Sequence, residues 1–169
     1  DVISAAGAIP GIKVDKGASK MAGFPNETVT KGLDGLSKRL RSYYEQGARF
    51  AKWRAVIDIA DGIPTWTCIK SNAHALARYA RICQQEQIVP IVEPEVLMDG
   101  NHDAARCDEV TRWMLQTTFN ELAEQRVALE GILALVVHSA TGAFLLPGRL
   151  EVLDVLVDRR RGRRDRERD

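Results

Sequence analysis

The sequence predicts an α/β fold built on a parallel β-sheet, either doubly wound or closed into a barrel. Short apolar segments alternate with segments whose apolar residues recur at helical spacing, which is typical of βαβ units. The short segments are nearly continuous apolar runs, as expected of strands that are covered on both faces. With 169 residues, 45% hydrophobic and 28% charged, the chain has the composition of a globular domain with a core.

The first half of the chain contains two predicted strands and two predicted helices. Residues 9–15 form the first strand, and a loop containing Gly, Lys and Thr follows to about residue 31. A helix is predicted over residues 33–47, because its apolar residues recur every three or four positions. Residues 50–59, FAKWRAVIDI, form the second strand. A second helix is predicted over residues 72–87, with Ser71 as its N-cap.

The second half continues the alternation. Residues 88–96, IVPIVEPEV, form the third strand, and a polar loop with the sequence MDGNHD follows as a βα turn. A helix is predicted over residues 104–126, and residues 129–137, LEGILALVV, form the fourth strand.

Charged residues two positions apart interrupt three successive strands. The pairs are Lys13 and Asp15, Lys52 and Arg54, and Glu93 and Glu95. Because alternate residues of a strand project to one face, each pair points to a single side of the sheet. Charges are costly to bury unless paired, and α/β barrels place catalytic groups at the carboxyl ends of their strands. The pattern therefore indicates either a polar active site or a set of ion pairs at the rim of the sheet.

The residue types narrow the chemistry of such a site. A lysine that is desolvated and crowded by other cations has a lowered pKa and acts as a nucleophile or base. Two neighbouring glutamates can divide the acid and base roles, and surplus cations suit phosphates or carboxylates on a substrate. His74, His102 and His138 are isolated in the sequence, so we expect no metal and no other cofactor.

Composition argues against several other classes of protein. No apolar run approaches the roughly 20 residues that a membrane-spanning helix needs, and three scattered cysteines favour a reducing compartment. Residues 158–169, DRRRGRRDRERD, hold seven arginines and four acids. The interleaved acids and the absence of aromatic residues for base stacking make nucleic-acid binding through this segment an unfavoured alternative.

Several longer motifs resemble those of the class I fructose-bisphosphate aldolases. These are GIKVDKG, GLDGLSKR, GARFAKWRAVI, NAHALARYARICQQ, IVPIVEPEVLMDGNHD and LEGIL, and they extend over residues 1–133. The resemblance implies a partial TIM barrel, in which the four predicted strands are the third to sixth of the family. It also implies a tetrameric, cytoplasmic lyase that reversibly splits fructose 1,6-bisphosphate into glycerone phosphate and glyceraldehyde 3-phosphate.

The resemblance assigns roles to the charged residues. It makes Lys13, Lys52 and Arg54 substrate-binding groups, with Lys52 also assisting the carbinolamine chemistry. Glu93 resembles the catalytic acid/base of the family. Glu95 resembles the neighbouring catalytic carboxylate, and Asp15 is expected to support the cations. The reaction uses no metal, because a lysine forms a Schiff base with the ketone.

The chain departs from the family pattern after Leu133. The family motif continues as LEG-x-L-L-K-P-N-M-V, with the lysine as the nucleophile, whereas gapless alignment puts Leu135 at that position. No lysine follows Lys70. We therefore expect residues 134–169 to be a non-family tail, poorly ordered at its end, and hypothesise that it derives from an altered reading frame or a wrong gene boundary. The alternative function is an inactive remnant that at most associates with intact aldolase subunits.

Overall fold

Strands and helices alternate along the chain. The computed structural model describes residues 2–138 and 142–147, and it describes side chains over residues 3–134. The helices are α1 (Val2–Ala5), α2 (Leu36–Glu45), α3 (Trp66–Gln85) and α4 (Ala104–Glu124), with a 3-10 turn at Leu129–Gly131. The strands are β1 (Gly11–Lys13), β2 (Ala18–Lys20), β3 (Thr28–Thr30), β4 (Phe50–Ile57), β5 (Val89–Val96), β6 (Leu133–His138) and β7 (Gly142–Pro147). No helix in these ranges is long and apolar enough to cross a membrane.

The main sheet confirms the predicted parallel arrangement. Its strand order is β1-β4-β5-β6-β7, and the first three pairings are parallel. The fourth strand begins at Leu133, later than predicted, because the backbone of residues 129–131 first makes a 3-10 turn. The antiparallel pairing of β7 with β6 was not predicted. The arginine-rich segment 158–169, expected to be poorly ordered, lies outside the described residues.

A small hairpin replaces part of the predicted loop between the first strand and α2. Strands β2 and β3 pair antiparallel, and the hairpin is fastened to α3 by the buried amide of Asn72. The Asn72 Oδ1 atom accepts from the Thr30 amide at 3.3 Å, and its Nδ2 atom donates to the Thr28 carbonyl at 2.8 Å. Asn72, which is distant in sequence, therefore forms the hydrogen bonds that the backbone of β3 needs, and local sequence patterns do not predict this contact.

The prediction that α3 begins after Ser71 was wrong. The helix begins at Trp66, and its N-cap is Thr65, whose Oγ1 accepts a hydrogen bond from the Cys68 amide at 3.2 Å. Thr65 also donates to Glu27, through its amide and its hydroxyl, both at 2.7 Å. The cap thus joins the helix to a buried carboxylate of the hairpin segment, an interaction that helical periodicity alone does not reveal.

We expect Thr65→Ala to lower the free energy of unfolding by about 1–2 kcal/mol, because it removes the cap and one hydrogen bond to Glu27. The matched control is Ser71→Ala, which lies within the helix and should change stability by less than about 0.5 kcal/mol. Urea unfolding followed by circular dichroism measures both. Equal losses in the two variants would contradict the assignment of Thr65 as the cap.

The core lies between the main sheet and helices α2, α3 and α4. Strand β4 alternates strictly, with Ala51, Trp53, Ala55 and Ile57 buried and the intervening residues half-buried. Trp53 is fully buried and stacks on Tyr79 of α3, with ring centroids 5.3 Å apart. Trp53 therefore packs towards the helices. The opposite face of β4 is therefore left for the charged residues.

Candidate active site at the carboxyl ends of the strands

Three neighbouring strands bring the predicted charged residues together. Lys13 of β1 is the ladder partner of Lys52 in β4, and Arg54 of β4 is the ladder partner of Glu93 in β5. Lys52 and Arg54 share the half-buried face of β4, opposite the buried Trp53. The parallel register therefore gathers the cations and carboxylates on one face, as the spacing of the charges predicts.

Each cation of the cluster pairs with a carboxylate. The Lys52 Nζ atom lies 3.3 Å from Glu93 Oε2, and the Lys13 Nζ atom lies 2.5 Å from Asp15 Oδ1. Arg54 forms two hydrogen bonds with Glu95, one from Nε to Oε2 and one from Nη2 to Oε1 at 2.5 Å. Such a bidentate pair fixes the orientation of the guanidinium plane.

The two signs of charge differ in their exposure. The side chains of Lys13, Lys52 and Arg54 are 58%, 43% and 42% exposed, whereas those of Asp15 and Glu93 are 3% and 4% exposed. The carboxylates therefore lie beneath the cations and hold them, while the cationic groups reach solvent. A surface of this kind suits an anionic ligand, because the oxygens of the ligand can replace the water molecules around the cations.

Burial and the charge of Lys52 have opposite effects on the pKa of Glu93. Burial raises the pKa of the Glu93 carboxyl above its ordinary value, and the nearby Lys52 ammonium offsets only part of that rise. A carboxyl with a raised pKa can hold a proton closer to neutral pH, as a general acid requires. The pKa of the Arg54 guanidinium is also raised, by its hydrogen bonds with Glu95, and the group therefore stays charged.

We expect Glu93→Gln to raise the free energy of unfolding at neutral pH, because it removes a buried carboxylate while the half-exposed Lys52 can turn to water. Glu93 binds its proton more tightly in the folded state, so its contribution to stability falls as pH rises through the folded pKa. The stability difference between Glu93→Gln and the parent should therefore grow with pH above the ordinary glutamate pKa. Urea unfolding over a pH series measures it; identical pH profiles for the two proteins would contradict the prediction.

A cavity of about 310 Å³ lies near the carboxyl ends of β4 and β5. Its lining includes Glu27, Asp58 and Val56, and Val56 is two residues after Arg54 on β4. The two carboxylates make this cavity unfavourable for a phosphate, which therefore belongs nearer to the cations. Among the residues with described side chains, no group of three or more His, Cys, Asp and Glu could hold a metal ion.

Sequence reasoning missed the groups that support the site from behind. The Tyr79 hydroxyl donates to the carbonyl of Ala51 at 2.6 Å and lies 3.3 Å from that of Ile91, so it bridges β4 and β5 beneath the charged residues. Arg39 of α2 donates to the carbonyl of Val14, between Lys13 and Asp15. Neither residue stands out in the sequence, because each belongs to an ordinary amphipathic helix.

A family model for class I fructose-bisphosphate aldolases matches residues 1–143. The chain belongs to the class I fructose-bisphosphate aldolase family. A probable class 1 aldolase of Xanthomonas campestris pv. campestris is 63% identical over 125 residues, which is 74% of this chain and 37% of that protein. The cytoplasmic aldolase isozyme 2 of Pisum sativum is 54% identical over 133 residues, which is 79% of this chain and 37% of that protein.

A solved aldolase supports the same family at the level of the fold. The aldolase of Plasmodium falciparum, crystallised in complex with TRAP and a small molecule inhibitor, superposes with a TM-score of 0.77 and 49% identity. The match covers 79% of this chain and 39% of that chain. The aldolase fold is a TIM barrel, so β1, β4, β5 and β6 form part of such a barrel. The family match passes residue 133, where the recognisable motifs end, and the predicted boundary there remains a prediction.

Proposed function

We propose that the charged cluster binds a phosphorylated ketose, namely fructose 1,6-bisphosphate, as part of the glycolytic cleavage that defines the family. The observation that supports this most directly is a set of three neighbouring cations that reach solvent, two of them paired with buried carboxylates. In this proposal Lys13, Lys52 and Arg54 contact the phosphorylated sugar. The chain spans a little over a third of the length of the relatives it matches, so the activity of the whole enzyme is part of the proposal.

The proposal gives the two carboxylates different roles in the family reaction, in which a lysine is the nucleophile. Glu93, whose pKa is raised by burial, transfers protons during carbinolamine formation and dehydration. Lys52 lies within ion-pair distance of Glu93 and is placed to stabilise the oxygen that leaves as water. Glu95 is held in a bidentate pair with Arg54 and contributes a carboxylate near the position of the family's nucleophile.

We propose that this chain lacks the nucleophile of the family reaction. The resemblance places the Schiff-base lysine at position 135, which is leucine, and β6 continues to His138 without a lysine. The chain should therefore bind the sugar phosphate without forming the covalent intermediate. Loss of a nucleophile commonly removes many orders of magnitude of rate.

Borohydride trapping with glycerone phosphate tests this proposal. In Leu135→Lys the new amine should condense with the ketone, release water, and be reduced by borohydride to a stable secondary amine, which intact-mass spectrometry detects. The unaltered chain and the control Leu135→Met should show no adduct. Trapping in the unaltered chain would show that another lysine is the nucleophile. Absence of both trapping and fructose 1,6-bisphosphate binding in Leu135→Lys would overturn the proposed function.

A second candidate function is an inactive family remnant that associates with intact aldolase subunits in the cytoplasm. It is favoured by Leu135 together with the antiparallel strand β7, which pairs with β6 where a parallel strand would continue a barrel. The location is supported by the cytoplasmic isozyme among the relatives. Co-expression of the tagged chain with a full-length relative, followed by affinity purification, tests it. Failure of the untagged aldolase to co-purify would remove this alternative.

A further inference from the structure

The carboxyl end of β1 is fastened from the helix side of the sheet by one arginine. The Arg39 Nη1 atom donates to the Val14 carbonyl at 2.9 Å, and its Nη2 atom donates to the Gly32 carbonyl. The Val14 amide in turn donates to the Lys52 carbonyl at 3.0 Å. Hydrogen bonds therefore connect the Arg39 guanidinium to the backbone of Lys52 through Val14, the residue directly after β1.

Strand β1 needs such support because it is short. Its ladder with β4 covers three residues and ends at the pairing of Lys13 with Lys52. Beyond that point, Asp15 Oδ1 accepts from Lys13 and from the Gly17 amide at 3.0 Å. These contacts tie Asp15 to its own segment. Backbone hydrogen bonds of Lys31 with Lys16 at 2.8 Å and with Gly17 at 2.9 Å join the segment to the loop behind it, and Arg39 adds the bonds from α2.

Gly32 shows how closely the supporting loop approaches this segment. Its φ angle is +132°, and a Cβ atom there would lie 3.1 Å from the Lys16 amide nitrogen and 3.3 Å from the Asp15 Cα atom. The loop therefore packs directly against the backbone behind Asp15. Because Arg39 donates to the carbonyls of both Val14 and Gly32, it bridges the two packed backbones.

We propose that Arg39 is a positioning residue that fixes Lys13 relative to Lys52 and thereby sets the affinity of the site for a phosphate ester. The inference rests on the proposed function of the cluster. Arg39 acts through the backbone of Val14, which lies directly between Lys13 and Asp15. Lysine cannot take its place, because one ammonium lacks the planar fork that reaches two carbonyls in fixed directions.

Hydrogen–deuterium exchange tests the fastening without any ligand. In Arg39→Gln the amides of residues 11–17 should exchange about fivefold faster, the factor expected for loss of roughly one hydrogen bond. The control is Arg41→Gln, on the same helix, where the exposed arginine pairs with Glu86 instead. Unchanged exchange of residues 11–17 in Arg39→Gln, or equal acceleration in both variants, would overturn the proposal.

A double-mutant cycle tests the consequence for the ligand. Calorimetric titration with fructose 1,6-bisphosphate is carried out on the parent chain, Lys13→Met, Arg39→Gln and the double variant. Arg39→Gln should weaken binding about fivefold when Lys13 is present and should add no further loss in the Lys13→Met background. Additive losses would overturn the positioning role. If the parent chain itself binds no fructose 1,6-bisphosphate, the proposed function fails, and hydrogen exchange alone then decides whether Arg39 fastens the strand.

Discussion

Replacement of Trp53 by alanine should lower the free energy of unfolding by about 3–5 kcal/mol, the range for truncating a buried tryptophan. Trp53 is fully buried at the centre of β4 and stacks on the fully buried Tyr79. Its ring also reaches the loop behind β1, since a Cβ atom on Gly32 would lie 3.2 Å from the indole. The side chain thus joins the sheet to α3 and to the loop that supports Lys13, so its truncation leaves a cavity between these elements.

A second stacked tryptophan provides the matched control for Trp53. Trp66 stacks on Trp113 with ring centroids 5.9 Å apart, but it is 54% exposed. Trp66→Ala removes a comparable ring contact without opening a core cavity, so its cost should be about 1 kcal/mol. Urea unfolding at a single pH compares the two variants. Losses of similar size would show that stacking, not burial in the core, accounts for the contribution of Trp53.

Replacement of Asn72 by leucine should lower the free energy of unfolding by about 3 kcal/mol, because buried backbone groups lose their partners. Leucine has a similar size but cannot accept from the Thr30 amide or donate to the Thr28 carbonyl. Asn72 is fully buried, so water cannot easily replace those bonds. The loss should release the β2–β3 hairpin from α3 and expose the segment that carries Glu27.

Gln84 is the matched control for Asn72. It lies on the same helix, and its amide also bonds two backbone groups, the carbonyl and the amide of Ala128. These bonds are exposed, so water can replace them, and Gln84→Leu should lower stability by less than about 1 kcal/mol. Thermal unfolding and proteolysis within residues 18–30 measure the two variants. Equal stability and equal proteolysis would contradict the anchoring role of Asn72.

The sequence alone predicted a parallel sheet of alternating strands and helices and the face of each strand on which the charges lie. Both follow from periodicity, because side chains alternate along a strand and parallel strands align their carboxyl ends. The alternation around Lys52, Trp53 and Arg54 is sufficient to place the two cations on one face and the indole on the other. The resemblance added the family, which the match over residues 1–143 confirms.

Element boundaries that depend on distant partners were not predictable. Thr65 caps α3 in combination with Glu27, which lies 38 residues earlier in the chain. The β2–β3 hairpin forms where Asn72 satisfies its backbone, and neither segment carries a strong local pattern. Sequence periodicity reports which face of an element is buried, but it contains no record of which distant polar group completes a turn or a cap.

The sequence by itself determined the family, the parallel α/β architecture and the identity of the charged residues, because these depend on residue type and local spacing. The tertiary structure alone decided how those residues pair. Glu93 is buried beneath Lys52, and Glu95 forms a bidentate ion pair with Arg54. It also decided that Arg39 fastens the end of β1. Pairing, burial and the resulting pKa of Glu93 arise from distances between separate elements, and those distances exist only after the sheet and helices have packed together.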